Sequence, residues 1–307
     1  MGLRIRTNVQ SLFAQRHFGL STQEVSKHME KLASGFRINK ASDDAAGLAI
    51  SEQLKANIRG LGQARRNAND AISMVQVAEG GLEEINDIMI RLRELSVQGA
   101  SDTIGVRERQ YLNGEFMALK DEVDRIAIST EFNGTRLLTG SKELPEELLR
   151  EHNYSPLEVQ VGKDYFPGAD GLDVPNPVNV LRMNLDNMNA TTEGEGSLGI
   201  GSTLNEDGTS VATKVGAQTS ITRLDDAMRN IASYRAGLGA LQNRLMSTDR
   251  NLGIQIENIS AAKSRIKDAD FAAETAEMTQ SSILQQAGAS VLVQANQAAS
   301  IALKLLQ

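Results

Sequence analysis

Residues 224–266, LDDAMRNIASYRAGLGALQNRLMSTDRNLGIQIENISAAKSRI, carry an apolar side chain at every seventh position: Leu224, Ile231, Leu238, Leu245, Leu252, Ile259 and Ile266. A seven-residue repeat keeps one apolar stripe turned toward a neighbouring helix along a left-handed supercoil. The stretch predicts one continuous helix about 64 Å long. A rod of that length needs a partner rod. The amino-terminal half supplies one, with Leu54, Ile58, Leu61, Ala68, Ile72, Val75, Leu82, Ile85, Met89 and Leu92 spaced by three, four or seven.

All five prolines fall between Pro145 and Pro177. Proline breaks helix interiors, so 1–144 and 178–307 are two helix-permissive arms around an irregular centre. The spacing predicts a further helix over 111–128, with Phe116, Leu119, Val123 and Ile126 on one face and Gly99–Gly105 as the break before it. In the centre, Leu157-Glu-Val-Gln-Val161 alternates and precedes Gly162, which predicts a strand entering a hairpin with 178–183 as its partner. The fold class expected is mainly α: a long antiparallel helical bundle or coiled coil formed by the two arms, with a small β-hairpin in the middle.

Composition agrees with rods. Hydrophobic residues make up 40% of the 307, yet aromatics are only 4% and Trp is absent. Helices touching along narrow stripes fill their seams with Leu, Ile and Ala. The net charge of −7 argues against nucleic acid as a partner. Without cysteine there are no disulfides and no thiolate sites. The first twenty residues lack the uninterrupted apolar run of a cleaved secretory signal. The stretch 281–307 is low in charge, but Gln285, Gln286, Gln294, Asn296 and Gln297 argue for a protein interface and against membrane insertion.

A search for chemistry returns little. The three histidines, His17, His28 and His152, do not form a zinc pair on one helix and read as solvated residues, so no metal site and no cofactor is expected. Gly194, Gly196, Gly199 and Gly201 read as a flexible turn, because no Lys-Ser or Lys-Thr follows. Asp43 and Asp44 follow Ser42 at the mouth of a helix, where Ser caps and acids meet the positive end of the dipole. Arg91-Leu-Arg-Glu-Leu95 and Glu115 read, by themselves, as charges on a solvated face. The chain is expected not to be an enzyme.

The segment LASGFRINKASDDAAGLAISEQLKANIRGL, Leu32 to Leu61, resembles the amino-terminal signature of bacterial flagellin. RLRELSVQGA (Arg91 to Ala100) and EVDRIAISTEFNGTRLL (Glu122 to Leu138) continue the resemblance. At the other end LGALQNRL (Leu238 to Leu245) and Ser264 to Gln307 are similar to the family's carboxy-terminal region. The resemblance implies a subunit that polymerises head-to-tail into the hollow extracellular filament of the flagellum. It implies terminal helices that pair inside the filament and fold on assembly, with adjoining helices as a shell.

The divisions then expected are 1–40, a filament-core helix and linker, and 41–140, the first part of a helical shell domain. There follow 141–220, a short surface-exposed variable region with the hairpin, then 221–268, the rest of the shell, and 269–307, the second core helix. Filament-core packing is assigned to Leu284, Val291, Ala295, Ala298, Ala302 and Leu305. The partners implied are further copies of the chain, a flagellar export chaperone, and cap and junction proteins, with export through the flagellar channel. Some flagellins are ligands of a Toll-like receptor through an Arg, a Leu and a Glu, which match Arg91, Leu95 and Glu115 here, a surface also expected to pack between subunits. Ile90 departs from that pattern, standing where many recognised members have Gln. The rivals are the hook–filament junction protein of the same superfamily, whose signature differs from LASGFRINKASDDAAG, and a generic coiled-coil scaffold.

Overall fold

The computed structural model describes residues 8–139, 157–164, 179–183, 191–192, 197–201 and 209–304, with side chains described as far as residue 297. The chain divides into two compact units, one of residues 1–58 with 257–307 and the other of residues 59–256. Five helices dominate: α1 (Val9–Ser34), α2 (Ala45–Gly99), α3 (Val106–Ser129), α4 (Lys214–Lys267) and α5 (Phe271–Lys304).

In the first unit α1 and α5 pair antiparallel. Asn8 meets Ala295, Thr22 meets Gln285 and His28 meets Glu274. The ends of these helices follow from their sequences. Asn8 caps α1 by accepting from the Ser11 amide at 3.1 Å. Gly35 closes it in the left-handed region at φ 72°, its amide donating to Lys31 O. The chain leaving α1 then bridges the chain leaving α4: Arg37 N donates to Lys267 O, and Ala269 N to Gly35 O. Asp270 accepts from the amides of Ala272 and Ala273 and so opens α5.

The start of α2 differs from expectation. Asp44, not Ser42, caps it, accepting from the Gly47 amide at 2.9 Å. Asp43 instead accepts from the amides of Asn39 and Lys40, tying the preceding turn. Those two backbone donors, Lys40 first, hold its carboxyl below the usual carboxylate range.

In the second unit α2 and α4 run antiparallel, since Arg65 pairs with Asp249, Glu79 with Arg235 and Arg93 with Asp225. Between them α2 and α4 bury Leu82, Ile85, Met89, Leu224, Ile231 and Leu238, and α3 adds Phe116, Val123 and Ala127. A tight hairpin follows α3: β1 (Glu131–Phe132) and β2 (Thr135–Arg136) are joined by Asn133 at φ 50° and Gly134 at φ 80°. Both central residues sit in the left-handed region, which an Asn-Gly pair tolerates.

The central hairpin forms where it is predicted. β3 (Leu157–Gln160) pairs antiparallel with β4 (Val180–Met183), and Val159 faces Leu181. Of the expected partner segment, Val178 lies outside the described residues. The interval 141–220, expected at the surface, contributes Val161, Leu181, Met183, Leu198, Ile200 and Val211 to the core. The described part of the glycine run is likewise pinned. Leu198 N donates to Thr191 O and Gly201 N to Thr192 O, while Asp124 on α3 accepts from Thr192. Gly194 and Gly196 lie outside the described residues.

Candidate assembly surfaces

The seam between α1 and α5 combines small and polar groups with the Phe18 ring. Ala14 and Ala295 are buried in it, and the Cβ position of Gly288 lies 3.7 Å from the Phe18 backbone. Polar clasps cross it along its length. The Asn8 side-chain amide donates to Ala295 O at 2.9 Å, Ser11 to Asn296 at 2.8 Å, and Gln285 to Thr22 at 3.0 Å. Near the other end His28 Nδ1 lies 2.6 Å from Glu274 Oε1, with Lys31 Nζ 3.2 Å from the same oxygen. Burial pushes the Glu274 carboxyl up, but the hydrogen bonds from His28 and Lys31 outweigh it and hold the group below its ordinary value.

Phe18 packs into this seam against Gly288, but many of the large apolar side chains point away from it. Phe13, Leu20 and Met29 on α1, and Ile283, Leu284 and Val291 on α5, are each more than half exposed. Unpartnered apolar surface of that kind marks an interaction face. The row assigned to filament-core packing therefore divides between two faces. Leu284 and Val291 are exposed, whereas Ala295 faces α1. Ala298 and Ala302 lie in α5 with undescribed side chains, and Leu305 lies outside the described residues. The residues turned toward α1 are Gln285, Gly288, Leu292 and Ala295, spaced by three and four.

On α4 the heptad positions Leu224, Ile231, Leu238, Leu245 and Leu252 are buried in the second unit, none more than 4% exposed. Ile259 and Ile266, which belong to the first unit, are half-buried.

Arg91 and Glu115 come together on the surface of the second unit. Arg91 Nε and Nη2 donate to Glu115 Oε1 at 3.1 and 2.8 Å, and Nη1 donates to Glu94 at 3.0 Å. Hydrogen bonding to Glu115 first, and then to Glu94, raises the Arg91 pKa further. Ile90 is exposed beside them. Leu95 is not on this surface. It is fully buried in the core, so it shapes the site from beneath and is corrected from a contact residue to a packing one.

Two groups went unread in the sequence. His28, expected to be solvated, is buried, with Glu24, Glu274 and Glu277 around its ring. His17 is exposed against the Phe13 ring, and His152 lies outside the described residues. Lys120 is buried as well. Its ammonium donates to Ile200 O and Thr209 O at 3.1 and 3.3 Å, fastening the chain after the central region to α3. A lysine at an apolar helical position, three residues before Val123 and four after Phe116, was the available signal.

A cleft of about 540 Å³ lies between β3–β4 and α4, lined among the described residues by Lys163, Asp164, Asn179, Arg244, Asn251 and others, and by no histidine. Among the described residues no helix is long and apolar enough to cross a membrane.

The profile of the bacterial flagellin N-terminal helical region matches residues 5–143, and that of the bacterial flagellin C-terminal helical region matches 221–306. The chain is 40% identical to a flagellar filament 33 kDa core protein of Treponema phagedenis, covering 99% of both chains. It is 37% identical to a flagellin of Halalkalibacterium halodurans, again covering 99% of both. Among solved structures, a Vibrio parahaemolyticus protein described as flagellar hook-associated is similar in fold alone. That likeness has 16% identity and a TM-score of 0.54, over 74% of this chain and 100% of that one.

Proposed function

This chain belongs to the bacterial flagellin family, and from that premise we propose that it builds an extracellular flagellar filament by associating with copies of itself through α1 and α5. The observation that carries the proposal is the pair of apolar faces left open on those two helices. The seam takes in Phe18 but leaves Phe13, Leu20, Met29, Ile283, Leu284 and Val291 for neighbouring subunits. The role is structural rather than catalytic. Segments 1–40 and 269–307 serve as the filament core, and 41–140 with 221–268 as its shell.

Negative-stain electron microscopy tests this reading on the full-length chain and on one lacking 1–33 and 281–307. Long hollow filaments from the first alone support it. Small oligomers of fixed size from both would refute it in favour of a coiled-coil scaffold.

The remaining partners belong to the same proposal. An export chaperone would hold the α5 segment before secretion through the flagellar channel, without a cleaved signal, and cap and junction proteins would meet the filament ends. For Toll-like receptor recognition, the exposed Arg91–Glu115 pair offers a planar cation beside a carboxylate. Arg91→Ala and Glu115→Ala should each lower signalling in receptor-expressing reporter cells. Unchanged signalling from both variants would remove this surface from the reading.

A further inference from the structure

The polar cluster at the α1–α5 seam has the composition of a metal site. Glu24 and His28 stand one turn apart on α1, and Glu274 and Glu277 one turn apart on α5. His28 Nδ1 lies 2.6 Å from Glu274 Oε1 and 3.8 Å from Glu277 Oε2. The possible donor atoms of His28, Glu274 and Glu277 all fall within 4.8 Å of one another. Two ligands of a tetrahedral Zn²⁺ stand about 3.4 Å apart, given metal–ligand bonds near 2.1 Å. The observed spacings straddle that value, so small side-chain rotations would close the set.

We propose that His28 Nδ1, Glu274 and Glu277 bind a divalent transition-metal ion of the Zn²⁺ class, which clasps α1 to α5. Three further observations support it. First, the other ring nitrogen, Nε2, faces Glu24 at 3.9 Å, outside hydrogen-bonding range but within reach of a side-chain rotation. A carboxylate that closes on that nitrogen would fix the tautomer and ring orientation of a metal-bound histidine. Second, the charges suit a dication. Three carboxylates face a single ammonium, Lys31, and a proton on His28 would offset only part of the excess. Third, Lys31 need not be expelled. Its Nζ lies 3.2 Å from Glu274 Oε1 and 3.5 Å from Oε2, so a small turn of its flexible stem toward Oε2 would free Oε1 for the ion. His28 and Glu274 side chains are each 9% exposed, while Glu277 is 63% exposed, so a water can complete the fourth position from that side. One imidazole with carboxylates favours Zn²⁺ over Mg²⁺, which retains its own water shell.

The test uses the full-length chain before and after assembly, with Co²⁺ as a visible probe and ZnCl₂ as competitor. One Co²⁺ per chain should bind in at least one of the two states, with the visible absorption of four-coordinate cobalt, displaced by Zn²⁺ and not by excess Mg²⁺. His28→Asn should abolish the spectrum. Glu24→Gln should weaken binding about 10–100-fold, as loss of an orienting carboxylate does. Glu277→Gln, at an exposed position, leaves the His28–Glu274 contact standing and should still lower affinity at least tenfold. A chain carrying both His17→Asn and His152→Asn should bind as the parent does. No saturable binding in either state would overturn the proposal. So would unchanged affinity in Glu277→Gln, or loss of binding in the His17/His152 control.

Discussion

Gly80 and Gly81 are adjacent in the interior of α2, and replacing each with alanine should have opposite effects. A Cβ at Gly80 meets nothing within 4 Å. Gly80→Ala should therefore gain the helix-propensity difference, about 0.8–1 kcal/mol. A Cβ at Gly81 would stand 2.6 Å from Thr130 Oγ1, 2.9 Å from Leu138 Cδ1 and 3.0 Å from Thr130 Cγ2. Carbon contacts settle at about 3.5–4.0 Å, so these neighbours would have to retreat by half an ångström or more. Neither is free to. Thr130 Oγ1 donates to Ile126 O at 2.7 Å, and Leu138 is fully buried. Overpacking of this kind costs about 1–3 kcal/mol. Because the propensity gain is common to both variants, the difference between them isolates the strain. At about 2–4 °C per kcal/mol for a unit of roughly 200 residues, Gly81→Ala should melt about 2–12 °C below Gly80→Ala. Thermal unfolding of the unassembled full-length chain by circular dichroism reads this directly. If Gly81→Ala melted level with or above Gly80→Ala, the packing of α2 against the segment after α3 would be wrong.

Lys120→Met keeps the apolar stem but leaves the Ile200 and Thr209 carbonyls without this donor, and should lose about 1.5–3 kcal/mol in urea unfolding. An unchanged urea midpoint would mean that the ammonium contributes nothing there. For Asp43, the carboxyl should titrate below an ordinary aspartate by carbon-13 NMR, because two backbone amides favour its charged form. A folded pKa below the unfolded one means that its contribution is complete above the ordinary value and is lost as pH falls through the lowered one. Titration at or above the ordinary value would contradict the turn geometry. Arg91→Ala and Glu115→Ala should each leave the urea midpoint of the unassembled chain close to the parent's, since the pair is half exposed. A clear fall in that midpoint would make any signalling defect a folding defect.

The parts of the fold legible in the sequence were those with a strict period. The heptads of α4 survived because a coiled stripe repeats without interruption from Leu224 to Leu252, and the break at 99–105 because glycine and short polar residues cannot prolong a helix there. The strand 157–160 showed itself by alternation ending at a glycine. What stayed hidden depended on register between distant segments. Nothing in 8–34 says that His28 will face Glu274 and not solvent; only the antiparallel alignment of α1 with α5 decides it. The same holds for Leu95. Its place in RLREL resembled a surface motif, while its helical phase, three after Leu92, puts it in the core with Leu92. Ser42 and Asp44 are equally good caps by residue type, but Asp44 holds the position from which a side chain reaches the Gly47 amide.

The terminal pair leaves much of its apolar surface outside. Its internal seam takes in Phe18 against Gly288 beside Ala, Asn, Gln, His and Glu, while Val9, Leu12, Phe13, Leu20 and Met29 on α1 and Phe271, Ile283, Leu284, Val291 and Val293 on α5 stand exposed. Burying one such side chain fully stabilises by about 1.5–3 kcal/mol. Covering even half of this surface between subunits would release on the order of 10 kcal/mol, which is comparable with the 4–15 kcal/mol that association costs in lost freedom. A closed dimer could hide one face of such a pair. Two helices that each carry open apolar rows offer surface to neighbours on more than one side, and head-to-tail contacts whose rotation does not close build an open filament. The polar seam then has a distinct task. Its clasps run from Asn8–Ala295 to His28–Glu274, and they fix how α1 and α5 align, and with it which apolar rows the pair presents to the next subunit.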